Sequence, residues 1–146
     1  MVDRPAMGER TTLQTVALLV GIVFLIVGIL GFIPGITSDA PGKFTGEDSE
    51  AELLGLFRVS ILHNIVHLLF GIAGIALART WDGARMFLIG GGVIYVALWL
   101  LGLIGGLDWL PANDADHWLH LGLGAAMIAA GYVLSRDVTT RTATTT

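Results

Sequence analysis

LQTVALLVGIVFLIVGILGFI, residues 13–33, decides the fold. Its only polar members are Gln14 and Thr15, and it ends at Pro34-Gly35. A bilayer core about 30 Å thick is crossed by roughly 20 residues of apolar helix, so this run is long enough to span it. The Pro-Gly pair then stops the helix. A second run, residues 60–78, is interrupted only by His63, Asn64 and His67 near its start. The third, MFLIGGGVIYVALWLLGLIGGL at 86–107, carries no charge. The fourth is apolar from Trp118 to Leu134 and needs its start taken back to Ala115 to span comfortably. The fold class read from these runs is all-α, an integral membrane four-helix bundle forming one domain over residues 1–146. Tails 1–12 and 135–146 and a long loop, 34–59, lie outside the spans.

Composition agrees. The apolar fraction is 54% and the charged fraction 14%, with a mean hydropathy of +0.77. A soluble domain carries about a quarter charged residues, so this chain lacks the polar surface that water requires. No basic patch points to nucleic acid, and the absence of Cys excludes disulfides, thiolate metal sites and thiol catalysis. A cleaved signal peptide is the alternative for the first run, because Arg4 and Arg10 precede it and Ser38-Asp39-Ala40 loosely resembles a cleavage site. Signal cores run to about 7–15 apolar residues. This one is longer and reads as a retained span.

Orientation follows from Lys and Arg, which accumulate on the cytoplasmic side of membrane proteins. Arg4 and Arg10 precede span one, Arg79 and Arg85 join spans two and three, and Arg136 and Arg141 follow span four. The other two connections hold only Lys43 and Arg58, among Asp39, Glu47, Asp48, Glu50, Glu52, Asp108, Asp114 and Asp116. Both termini are therefore expected in the cytoplasm. Trp81, Trp109 and Trp118 fall at the expected interfaces. The Thr-rich stretch 139–146 lacks large apolar residues and is expected to be disordered. Ala51–Val59 reads as an amphipathic segment lying along the outer interface, with Arg58 snorkelling to the headgroups.

The spans repeat. A shift of 71 positions pairs Gly21 with Gly92, Leu30 with Leu101, Gly31 with Gly102, Ile33 with Ile104 and Gly35 with Gly106. A shift of 53 pairs His67 with His120, Leu68 with Leu121, Gly71 with Gly124, Ala73 with Ala126, Ile75 with Ile128 and Ala76 with Ala129. Chance matching of Gly/Leu/Ile-rich segments accounts for much of this, but less easily for a His followed four residues later by Gly. The pattern predicts two similar hairpins of the same topology, related by a pseudo-twofold axis along the membrane normal. Spans two and four would then face each other. Gly31, Gly35, Gly71, Gly102, Gly106 and Gly124 are expected to pack helices, since close backbone approach and van der Waals contact drive association in lipid.

All four histidines sit at the outer ends of spans two and four. His63, Asn64 and His67 lie on neighbouring parts of one helix face, and His117 and His120 follow Asp116. His67 and His120 are about a turn inside the apolar run, roughly 5 Å deep at ~1.5 Å per residue. Hydrocarbon offers a polar side chain no partner there. Three readings stay open. The imidazoles hydrogen-bond across the axis, His67 to His120 or to Asn64, and fix register. Alternatively His63, His67, His117 and His120, with Asp116, bind a transition metal or a haem, since imidazole suits Zn, Cu, Ni and Fe. In the third, the cluster lines a pocket or proton path open to the outer face, as in a small-solute transporter. No nucleophile–base pair, phosphate loop or HExxH motif is present, so no enzyme activity is expected. Phe24, Phe32, Tyr95 and Trp99 read as core or lipid contacts.

GILGFIPG at 28–35, LLGLFRVSILHNIVHLLFGIAGIALAR at 53–79 and DHWLHLGLGAAMIAAG at 116–131 together resemble the domain-of-unknown-function 4383 family of small four-span, largely actinobacterial membrane proteins. The most specific segments are HNIVH and HWLH, matched here by His63, Asn64, His67, Trp118 and His120. The chain departs from the family pattern before the first His, with Arg58 and Ser60 where polar residues such as Gln and Asn are expected. The resemblance implies the four-span fold and the bacterial inner membrane, and no activity. A non-enzymatic binding or interaction protein is therefore expected, embedded in the lipid bilayer as a homo-oligomer or as an accessory subunit of a membrane partner. The cysteine-free chain makes orientation directly testable. Glu50→Cys should react with an impermeant maleimide on intact cells, and Thr145→Cys only after permeabilisation; the reverse pattern would invert the topology.

Overall fold

A computed structural model describes residues 10–38, 44, 49–105 and 113–143, with side chains through Arg136. Arg4, Asp39, Lys43, Glu47, Asp48, Gly106, Asp108 and Trp109 lie outside the described residues, as does the side chain of Arg141. The elements are α1 (Thr12–Leu30), β1 (Thr37–Ser38), β2 (Glu52–Leu53), β3 (Phe57–Arg58), α2 (Ile61–Leu77), α3 (Trp81–Leu103) and α4 (Asp114–Ala143). The four helices form the expected all-α membrane bundle. Those built on α1, α3 and α4 are long and apolar enough to cross a membrane. α2, with 17 residues, reaches about 26 Å at ~1.5 Å per residue.

Each helix begins at a side-chain cap that accepts from a first-turn N–H left without a helical partner. Thr11 accepts from the Gln14 N–H at 3.3 Å, Ser60 from His63 at 3.1 Å, Thr80 from Gly83 at 3.1 Å and Asn113 from Asp116 at 3.0 Å. Two of the expected boundaries move. α3 starts at Trp81 and not at Met86, because Thr80 caps it and Asp82 complements the positive end of the helix dipole. α4 starts at Asp114 and continues through Ala143, so 139–143 is helical and not disordered. No Gly or Pro interrupts Ser135–Ala143. At the other end of α2, Gln14 donates through Nε2 to the carbonyls of Ala78 (3.2 Å) and Arg79 (2.9 Å). The polar residue near the start of span one thus serves the carbonyls at the end of span two.

α1 packs along α2 and α3 along α4, as two antiparallel hairpins. A methyl group built on Gly21 would lie 2.8 Å from the Ile75 nitrogen, on Gly28 2.8 Å from the Leu68 nitrogen, and on Gly71 2.6 Å from the Leu25 nitrogen. The second hairpin closes in the same way, with Gly92 against Gly124 (2.7 Å to its carbonyl oxygen) and the Ile128 nitrogen (3.0 Å). Between hairpins α1 packs on α3, α2 on α3 and α4 on α1. The expectation that spans two and four face each other is corrected in part, because α2 and α4 are not among the closely packed helix pairs of the described residues. The centre is instead the contact of the two first helices, where the rings of Phe24 and Tyr95 meet edge-on at 5.3 Å. Leu13, Ala17, Leu88, Phe87 and Met127 extend this core. Leu19, Val23 and Ile26 on α1, Leu69 and Ile72 on α2, and Val93 and Ile94 on α3 point outward, as a lipid-facing perimeter should.

Gly31 and Gly35 are not a packing pair. α1 ends at Leu30, Gly31 caps it, and Gly35 sits in a turn at φ +91° with nothing near its α-carbon face. After the turn comes a small antiparallel sheet in the order β1-β2-β3, with Thr37 opposite Leu53 and Glu52 opposite Arg58. It gives Ala51–Val59 the form of a β-hairpin with one face turned to the bundle. Ala51, Leu53 and Val59 are buried against Val27, Leu30 and Ile36, so this face of the hairpin covers the end of α1. Its turn passes through Leu54 (φ 56°) and Gly55 (φ 66°).

The glycine contacts are testable against an internal control. Gly21→Leu and Gly71→Leu should each cost about 1–3 kcal/mol, the usual range for overpacking. Both should appear as lowered thermal midpoints in detergent. Gly90→Ala, where nothing lies within 4 Å, should leave the midpoint unchanged. Equal effects at all three would contradict the packing described.

Candidate functional site

The polar cluster of α2 and α4 lies at the sheet-bearing end of the bundle. His67 stands one helical turn beyond His63, and the two rings stack at 4.2 Å, 11° from parallel. Nδ1 of His67 is 3.1 Å from the His63 carbonyl oxygen, and its Nε2 is 3.4 Å from the Tyr95 hydroxyl. A carbonyl only accepts, so Nδ1 carries the proton and Tyr95 donates to Nε2. Both ring nitrogens of His67 are therefore engaged within the protein. The expected hydrogen bond from His67 to His120 or to Asn64 is not formed: Tyr95 stands between the two imidazoles, and the Asn64 amide lies against Gly31. His120 packs on its ring at 5.0 Å, and Phe24 packs on His67 at 5.4 Å. One residue from each helix (Phe24, His67, Tyr95 and His120) thus makes a single layer across the bundle.

Asn64 is fully buried, with its amide against Gly31 at the end of α1, and neither amide atom has a hydrogen-bond partner among the described residues. His117 occupies the corresponding place in the second hairpin, its ring against Gly102 near the end of α3. Asp116, 2% exposed, does something different. Its Oδ2 accepts from the backbone N–H groups of Arg58 and Asn113, both at 3.0 Å, while Asn113 Nδ2 donates to the Leu56 carbonyl at 2.7 Å. These bonds fasten the β2–β3 hairpin to the start of α4, and the Arg58 charge lies near the carboxylate. Of the expected site residues, His63, His67 and His120 are thus brought into one region. Asn64 and His117 go to the two glycine notches, and Asp116 to the sheet. Gly31, Gly71, Gly102 and Gly124 are close-contact positions.

Among the described residues no three His, Asp or Glu side chains are placed to hold a metal ion. Spacing along two helices predicted that the histidines could converge, but it could not show that His117 turns to Gly102 or that His67 is already bonded.

Sequence reasoning missed Tyr95, Phe24, Ser60 and Asn113 as members of this layer and its frame. A signal was present. Phe24 and Tyr95 are 71 residues apart, and Ser60 and Asn113 are 53 apart, the offsets that align the glycines. With these offsets, Phe24 on His67 becomes Tyr95 on His120. Gly31 on Asn64 becomes Gly102 on His117, Gly21 on Ile75 becomes Gly92 on Ile128, and Gly71 beside Leu25 becomes Gly124 beside Val96. The cap of Ser60 on His63 becomes that of Asn113 on Asp116.

No curated protein and no solved structure matches the chain. One family model matches residues 14–133, nearly the whole span of the four helices. The chain belongs to that family, described as Domain of unknown function (DUF4383).

Proposed function

We propose that this protein is a non-enzymatic binding or accessory protein of the bacterial inner membrane, with both termini in the cytoplasm. Its His/Asn/Asp cluster serves the bundle's own assembly. The observation that supports this most is His67, whose two nitrogens are both used internally, by the His63 carbonyl and by Tyr95. Asp116 is similarly occupied, by two backbone N–H groups. Polar groups spent in this way orient helices and are not available to a substrate. The matching contacts at offsets of 71 and 53 support an origin by duplication of one hairpin, with the pseudo-twofold axis passing near the Phe24–Tyr95 contact. In this reading the two hairpins behave as a fused dimer, and activity resides in what the assembled surface binds, a second copy or a membrane partner.

Two measurements test this. Protein purified without a His tag should carry no stoichiometric metal and no Soret band. A metal or haem lost in the His67→Ala/His120→Ala variant would replace the structural reading with a cofactor site. Tyr95→Phe should lower stability in detergent by about 1 kcal/mol, the net worth of one buried hydrogen bond, and the double His variant by more. Unchanged midpoints in both variants would remove the cluster from the assembly of the bundle. A mild-detergent pull-down with crosslinking should recover a stable partner or a homo-oligomer.

A further inference from the structure

The β2–β3 turn combines two features that nothing among the described residues explains. Leu54 adopts φ 56° and is 68% exposed. The left-handed conformation is unfavourable for an ordinary L-residue, and hairpin turns with two positive-φ residues favour Asn-Gly for that reason. Gly55 fits the pattern and Leu54 does not. A leucine that gains no burial in the folded chain, in a conformation that disfavours it, requires a favourable contact elsewhere. Leu56, at 52% exposure, projects from the same turn.

The position of the turn identifies that contact. The Asn113–Leu56 bond of 2.7 Å and the Arg58–Asp116 bond of 3.0 Å hold the hairpin beside the first residues of α4. α4 is one of the helices long and apolar enough to cross a membrane. Trp118, about one turn further along α4, is 68% exposed, and an indole there suits the headgroup region. Leu53, the residue before the turn, is buried on α1, so the hairpin has an inward face on the bundle and an outward apolar tip at the level where α4 enters the bilayer.

We infer that the Leu54–Gly55–Leu56 turn is a membrane-surface anchor, inserting its two leucines into the lipid interface around α4. Removing the apolar surface of a leucine side chain from water is favourable and offsets the backbone cost of Leu54. The anchor would also keep the sheet seated on the outer end of the bundle.

The chain has no cysteine, so a spin label can be placed at Leu54→Cys and, separately, at Leu56→Cys, with Glu50→Cys as the exposed reference, in nanodiscs of phosphatidylethanolamine and phosphatidylglycerol. Collision with oxygen, which partitions into lipid, is compared with collision with a water-soluble nickel chelate. The expected result is an oxygen-to-chelate ratio several-fold higher at 54 and 56 than at 50. A chelate-accessible label at both tip positions would overturn the proposal in favour of an aqueous turn. A label immobilised and shielded from both reagents would overturn it in favour of a protein partner or a second copy. Using both positions keeps the test decisive if one variant fails to fold.

Discussion

Lipid gives apolar helices no hydrophobic reason to leave it for one another, so the bundle depends on how closely its backbones can approach. At Gly21, Gly28 and Gly71 in the first hairpin, and at Gly92 and Gly124 in the second, even a methyl group would meet neighbouring atoms at 3.0 Å or less. That closeness sets the depth at which α1 lies against α2 and α3 against α4. The remaining contacts follow from the register it imposes. Phe24 reaches His67, Tyr95 reaches both His67 and His120, and the two first helices meet through the Phe24–Tyr95 edge contact.

The polar groups inside this frame are disposed of locally. Gln14 binds the carbonyls at the end of α2, Ser60 and Asn113 cap α2 and α4, and Asp116 gathers two backbone N–H groups where the sheet meets α4. Breaking one such bond in a low-dielectric interior leaves a desolvated group behind, which costs more than the bond contributes on average. In the cluster that looked most like a binding site in the sequence, His67 and Asp116 have hydrogen-bond partners within the bundle. Asn64 stands apart, since its amide fills the notch at Gly31 without a protein hydrogen bond.

Much of this was legible before any coordinates. Hydropathy found four helices because runs such as 13–33 have no other stable home, and the glycine offsets marked the hairpin contacts. Boundaries were less legible where charge and apolarity disagree. Asp82 and Arg85 hid the first turn of α3, which belongs to the helix because Thr80 caps it. The sheet escaped because its strands are two residues long, too short for alternation to register, and because Leu54 occupies a turn position where Asn would have announced a hairpin. The partner of His67 escaped for a different reason. Spacing places a side chain on a face, but only tertiary packing decides that Tyr95 stands between His67 and His120.

The claim on which the account rests is that His67 is spent within the fold. Selective ¹⁵N-histidine labelling in nanodiscs, read by NMR, reports it directly. The account predicts an imidazole protonated at Nδ1, with Nε2 accepting a hydrogen bond whose resonance moves in Tyr95→Phe. Protonation at Nε2, or an Nε2 resonance shifted by a bound metal and restored by a chelator, would contradict it and return the cluster to the status of a ligand site.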